Sequence, residues 1–203
     1  MSLIACMPSL PNNGAASSAD RWRAAIFALV AVVYPAAVYW LHVQVSFAVF
    51  AIAAILLLIL RSLLVVDGVT RLLRLPLLCA ALVLAVLAVI DSAVAAKIYP
   101  ALLSLLIATL FGNSLRHPPS LVERIARLRE PVLPPVGIVY CRRVTWIWTL
   151  WLLANAMIAG LLALAQDLAL WALWTGLISY LCSAVLFAGE RLLRPMLMRR
   201  AAR

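Results

Sequence analysis

The chain has 203 residues, of which 67% are hydrophobic and only 12% charged, against roughly 45–50% apolar and about 25% charged in a soluble domain. That composition cannot cover a water-facing surface, so a soluble enzyme or binding module is excluded and an integral membrane protein remains. The net charge of +10 would suit phosphate-rich partners, but basic residues at the ends of apolar runs are what orients membrane helices. Nucleic acid is therefore not an expected partner, whereas anionic lipid headgroups are.

Residues 1–20, with the stretch "PNNGAASSAD", read as a disordered tail. The early "LIAC" lacks the basic and apolar regions of a cleaved signal. About 20 apolar residues cross a bilayer. By that measure membrane helices are predicted at about 22–41, 45–63, 75–91, 98–115, 144–165 and 171–190. The fold class is thus all-α and polytopic, with one membrane domain over 21–194 and a basic C-terminal tail over 195–203. The third and fourth spans are short, and "DSAVAAK" between them is a weak separator, so they also read as one broken unit.

Orientation follows from Lys and Arg. With the N-terminus in the cytoplasm, every one of the 17 basic residues except Lys97 falls on the cytoplasmic side, which is the asymmetry that short loops use to set topology. Both termini are then cytoplasmic, and the outer loops are small, near 42–44, 92–97 and 166–170.

The one substantial loop is cytoplasmic, residues 116–143. Ser120 and Glu123 have capping-box spacing after Pro118 and Pro119, so a short helix is predicted to start there. Leu121, Val122, Ile125 and Leu128 share one face and Arg124, Arg127 and Arg129 the other. Glu123 and Arg127 form a favourable i,i+4 pair. Such a helix can lie in the headgroup plane or serve as a solvated elbow between spans. "REPVLPPVG" is expected to be an extended strap, because three prolines remove amide donors and fix φ. Arg142 and Arg143 then lead into the fifth span, and Arg124, Arg127, Arg129, Arg142 and Arg143 are the candidate contacts for lipid headgroups or a partner protein.

In the fifth span Asn155 is the deepest conspicuous polar side chain. Counting along the two antiparallel helices from the short outer loop, at about 1.5 Å per residue, places it level with Tyr180. Asn155 and Tyr180 are therefore the candidate polar pair near the midplane, with Ser179 and Ser183 beside it. A hydrogen bond of this kind ties helices together, and Ala156 with Gly160 offers the small-xxx-small spacing of close helix approach. The alternative is that the same groups bind a transported substrate.

The remaining polar residues form no catalytic set. His42 and His117 lie on opposite sides in this topology, Asp91 and Asp167 at outer helix ends, and Glu190 near an inner one. No motif of a hydrolase, zinc protease or phosphate-binding loop is present. The four cysteines, at 6, 79, 141 and 182, have no metal-ligand or redox spacing, so no cofactor or metal is predicted. Trp146, Trp148 and Trp151, with Trp171 and Trp174 and with Trp22, Tyr34, Tyr39, Trp40 and Tyr99, read as aromatic belts at the two interfaces. The triplet Tyr-Pro-Ala occurs at 34–36 and 99–101. Three spans per half would make an inverted repeat such as carriers use, and the prolines equally serve to kink or start helices.

The stretches "YPALLSLLIATLFGNSL", "VERIARLREPVLPP", "YCRRVTWIWTLWLLANAMIA" and "WTGLISYLCSAVLFAGERLLR" resemble a family of uncharacterised bacterial inner-membrane proteins encoded in gene clusters for aryl-polyene or xanthomonadin-type lipids. The resemblance covers roughly residues 98–194; the family more often has threonine where this chain has Cys141 before the arginine pair. A more distant likeness is to the septation or intermembrane envelope proteins, on Arg142, Arg143, Trp148 and Asn155, with a different spacing to the asparagine. The resemblance implies a bacterial inner-membrane location and a non-catalytic accessory role in envelope lipid or aryl-polyene assembly or export. It also implies acyl carrier protein or acyltransferase partners, and the acidic surface of an acyl carrier protein would suit an arginine-rich loop. A small transporter or flippase for a lipid or its precursor is the alternative function.

Overall fold

A computed structural model of the protein describes residues 29, 33–63, 74–127, 132–165 and 167–201, with side chains through Leu192. Among the described residues all regular structure is helical. In chain order they form α1 (33–41), α2 (Phe47–Leu63), α3 (Arg74–Ile90), α4 (Ser92–Arg116), the short α5 (Leu121–Arg127), α6 (Pro135–Leu164) and α7 (Leu168–Leu173). A π-helical turn (Trp174–Ile178) then leads directly into α8 (Ser179–Ala201). Among the described residues three helical runs are long and apolar enough to cross a membrane: α4, α6 and Leu168–Leu192. The helices α2 and α3 are apolar throughout, at 17 residues each. Of the predicted first span only residues 29 and 33–41 are described; the tail at 1–20, Leu128 and Arg129 lie outside the described residues.

Each helix buries one stripe and leaves the other side apolar. In α2 the stripe is Phe50, Ala51, Ala54, Leu58 and Ser62; in α3 it is Leu77, Ala80, Ala81 and Leu84. Steps of three and four residues are the helical repeat. Opposite these stripes Ile52, Leu56, Leu60, Leu82, Val86 and Val89 are exposed, a surface that water does not tolerate at this extent and that lipid does.

Three boundaries differ from the sequence reading. The predicted outer loop at 92–97 is helix: Asp91 alone separates α3 from α4, and its carboxylate accepts from the amides of Ala93 and Val94. An extended residue with a capping side chain is enough to end one helix and begin another. The predicted strap before the fifth span is shorter, because α6 begins at Pro135. Proline is compatible with the first helical position, where its missing amide would have had no partner. The helix α8 runs through Ala201, so most of the stretch read as a basic tail continues the helix.

The main interface is between α4 and α6, and its register is antiparallel. Gly160 faces Ile98 and Ala101, Asn155 meets Ser104, Trp148 stacks near Phe111, and Gly112 faces Thr149. Small residues at these positions let two backbones approach where lipid gives no hydrophobic drive for association. The helix α8 is antiparallel to α6 as well, with Tyr140 bonded to the Glu190 carbonyl and Trp151 to Ser183.

Candidate functional site

Two polar clusters lie along the α4–α6 interface: a clasp at mid-helix and a cationic groove at the arginine-bearing end.

The clasp is built on Asn155. Its Nδ2 donates to Ser104 Oγ at 2.9 Å, and Trp174 Nε1 donates to its Oδ1 at 3.0 Å. The Ser104 hydroxyl in turn donates to the Pro100 carbonyl at 3.0 Å. That carbonyl lies four residues back, the usual acceptor for a helical serine. One asparagine thus joins α4, α6 and the π-helical turn, and both ends of its amide are satisfied within the protein.

The predicted partner, Tyr180, is not bonded to Asn155. It is 39% exposed, while its neighbour Ser179 is buried. Trp151 of α6 bonds Ser183 of α8 one turn away, so the difference lies in which face of α8 meets α6. A π turn carries one residue more than the α repeat, and one residue turns everything after it by about 100°. Trp174, within that turn, reaches the asparagine instead.

Above the clasp the same logic explains the tyrosine–proline triplets, which the fold brings together. Pro100 has no amide, so the Ala96 carbonyl lacks its helical donor. The Tyr34 hydroxyl supplies one at 2.9 Å and also approaches the Phe50 carbonyl at 3.3 Å. The rings of Tyr34 and Tyr99 lie 5.0 Å apart, tilted by 58°. Trp171, at 0% exposure, donates its indole proton to the Lys97 carbonyl at 2.9 Å. Tyr34, Tyr99 and Trp171 are thus interior residues rather than parts of an interfacial belt. Trp40 and Trp146 are exposed as a belt requires. Lys97, read as the lone cation of an outer loop, is 9% exposed within α4.

At the other end α5 forms where the sequence places it, but not by the capping box. Leu121 N donates to Ser114 Oγ at 2.9 Å and Val122 N to Thr145 Oγ1 at 3.4 Å, so hydroxyls of α4 and α6 cap the helix. Ser120 Oγ is buried without a partner among the described residues. Glu123 is 5% exposed and holds Arg127 Nε and Nη2 at 2.9 and 2.7 Å. The expected apolar face is split, with Leu121 and Val122 half-buried but Ile125 outward, while Arg127 is exposed and Glu123 lies inward. Tertiary acceptors for the first amides fix the rotation of a seven-residue helix more strongly than its own pattern does.

The candidate arginines therefore separate. Arg127 is engaged by Glu123. Arg124 donates through Nε to the Pro119 carbonyl at 2.9 Å and through Nη2 to the His117 carbonyl at 3.2 Å, which fastens the turn between α4 and α5. Arg142 and Arg143 are exposed. Arg124 and Arg142, but not Arg143, line a side-open groove of about 1320 Å³ between α4 and α6, together with Arg116 and His117. Arg116 carried no mark in the sequence beyond its place at a helix end.

His42 and His117 bond locally, to the Tyr39 carbonyl and to Asn113. Asp91 and Asp167 cap α4 and α7. Among the described residues Cys79, Cys141 and Cys182 form no disulfide. Among the described residues no three His, Cys, Asp or Glu side chains converge on a point where a metal could sit. No family model, curated protein or solved structure matches the chain.

Proposed function

We propose that this protein is a non-catalytic accessory of the bacterial inner membrane that serves the assembly or export of an envelope lipid, of the aryl-polyene type that the sequence resemblance implies. The observation that carries the reading is the use made of the polar groups within the bundle. Asn155, Ser104, Trp174, Trp171 and Tyr34 are joined helix to helix, an arrangement suited to a fixed scaffold. The arginine-bearing end is the face left to meet others. Arg142 and Arg143 are exposed there, suited to anionic headgroups and to an acidic acyl carrier protein or its acyltransferase.

In this reading the chain crosses the membrane six times with both termini in the cytoplasm. The spans are α1 with the residues before it, α2, α3, α4, α6 and the run Leu168–Leu192. Single cysteines in place of His42 and His117, in a chain otherwise free of cysteine, test it with a membrane-impermeant maleimide. Labelling of the first from outside and of the second only after permeabilisation is expected. Labelling of both from one side would overturn it.

The function is tested by deleting the gene in its host and extracting the envelope lipids. Loss or accumulation of one lipid class, restored by the wild-type gene, is the expected result. An unchanged lipid profile removes the proposal. The second reading, a lipid transporter or flippase, is favoured by the groove, whose lining reaches Ala108 and Leu153, one helical turn and two residues from the clasp. It requires altered sidedness of a labelled lipid in vesicles containing the purified protein.

A further inference from the structure

We infer that the groove between α4 and α6 holds one acyl chain of an anionic membrane phospholipid, with the phosphate held between Arg116 and Arg142. This deepens the accessory reading by giving the arginine-bearing end a specific ligand.

The mouth is cationic. Arg116 ends α4, Arg142 lies in the second turn of α6, and both line the groove with exposed side chains. No Asp or Glu is among the lining residues. Among the described residues neither guanidinium has a hydrogen-bond or ion-pair acceptor, in contrast to Arg127 with Glu123. Two planar forks facing one opening suit a phosphate diester, which presents acceptor oxygens to each. Arg124 is pinned to the carbonyls of Pro119 and His117, so it shapes the rim of the mouth.

Below the mouth the lining asks nothing polar of its occupant. Thr109 and Thr149 donate their hydroxyl protons to the carbonyls of Leu106 and Thr145. The small residues Ala108 and Gly112 on α4 leave room opposite Trp146 and Leu153 on α6. A Cβ on Gly112 would stand 3.5 Å from the Thr149 methyl, an ordinary contact distance, so the two helices lie side by side along the groove.

The length fits one leaflet. From Arg142 to Leu153 along α6, and from Arg116 to Ala108 along α4, the rise is about 16 and about 12 Å. Half a hydrocarbon core is about 15 Å. A chain that starts at headgroup level therefore ends near the floor of the groove, short of the Asn155 clasp.

The test uses the full chain, delipidated in detergent and reconstituted with equal amounts of phosphatidylglycerol and phosphatidylcholine of the same acyl chains, with retained lipid counted by native mass spectrometry. Retention of one phosphatidylglycerol, preferred roughly ten- to thirtyfold, is expected from two arginines at a headgroup. The R116Q/R142Q double variant should bring the ratio near unity, whereas Arg191→Gln, exposed on α8 outside the groove, should leave it unchanged. Leu153→Trp, or Thr109→Trp if the first does not fold, should reduce retention of both lipids by filling the chain site.

Equal retention of the two lipids by the wild type overturns the proposal. So does loss of preference in Arg191→Gln, which would mean diffuse surface charge, or full retention in both tryptophan variants. Displacement by millimolar inorganic phosphate would mean an anion site with no use for the acyl chain, and would overturn it too. A failure here leaves the deletion phenotype standing. A normal lipid profile in the deletion strain, with the preference intact, removes the assembly role and keeps the site.

Discussion

The Tyr34 hydroxyl donates to the Ala96 carbonyl at 2.9 Å, and Ala96 is the residue whose helical donor Pro100 cannot supply. A proline inside α4 opens the backbone where no water can close it, and a tyrosine from α1 closes it. An unsatisfied carbonyl in lipid costs several kcal/mol, so the two triplets depend on each other.

Tyr34→Phe is expected to destabilise the folded protein by about 1–2 kcal/mol, within the range for leaving a buried acceptor unmet. In a Pro100→Ala background, which restores an amide at position 100, the same change should cost much less. A double-mutant cycle from equilibrium unfolding in mixed micelles measures the difference. Equal costs in both backgrounds would separate the tyrosine from the proline.

Asn155→Leu should leave membrane insertion intact and lower stability by about 1 kcal/mol, since interhelical bonds in membranes average ~0.6 kcal/mol each and this side chain makes two. Trp174→Phe and Ser104→Ala should each cost less and be non-additive with it, because they share a partner. Lost activity without lost stability in Asn155→Leu would assign the asparagine to a ligand instead.

Gly160 has Ile98 Cδ1 at 3.9 Å and Ala101 Cβ at 4.0 Å from the place a Cβ would take, ordinary contact distances. Gly160→Ala is therefore expected to be close to neutral or stabilising. Gly160→Leu should force α4 and α6 apart at a cost of about 1–3 kcal/mol. Thermal melts of the two variants decide the matter, and a destabilising alanine would mean tighter packing than these distances describe.

The α5 helix rests on borrowed hydroxyls, so Ser114→Ala with Thr145→Val should free the amides of Leu121 and Val122. Faster hydrogen exchange over 121–127, with α6 unchanged, is the expected outcome. Ser120→Ala should leave exchange at those amides as it is, because its hydroxyl caps nothing among the described residues. Loosening by Ser120→Ala would restore the capping box.

Much of the architecture is legible along the chain because it depends on local quantities. Apolar length marks α2, α3, α4 and α6 within a few residues at most of their ends, and Ser120 with Glu123 marks the start of α5. The boundaries that slipped are those where one residue suffices. Asp91 turns the chain alone, and Pro135 opens a helix rather than preceding one. The depth of Asn155 relative to α8 was also accessible, since rise per residue is constant.

What composition, periodicity and charge placement determine by themselves is a helical, membrane-embedded chain with its arginines gathered at helix ends and one asparagine at mid-depth. Which side chains meet was decided only by the tertiary structure. Tyr34 and Ala96 are 62 residues apart, and nothing local links them. Asn155 passes over Tyr180 for Ser104 and Trp174 because a partner in a bundle depends on rotation about each helix axis. A single π turn changes that rotation by about 100°, while the hydrophobic pattern, apolar on every side, does not specify it.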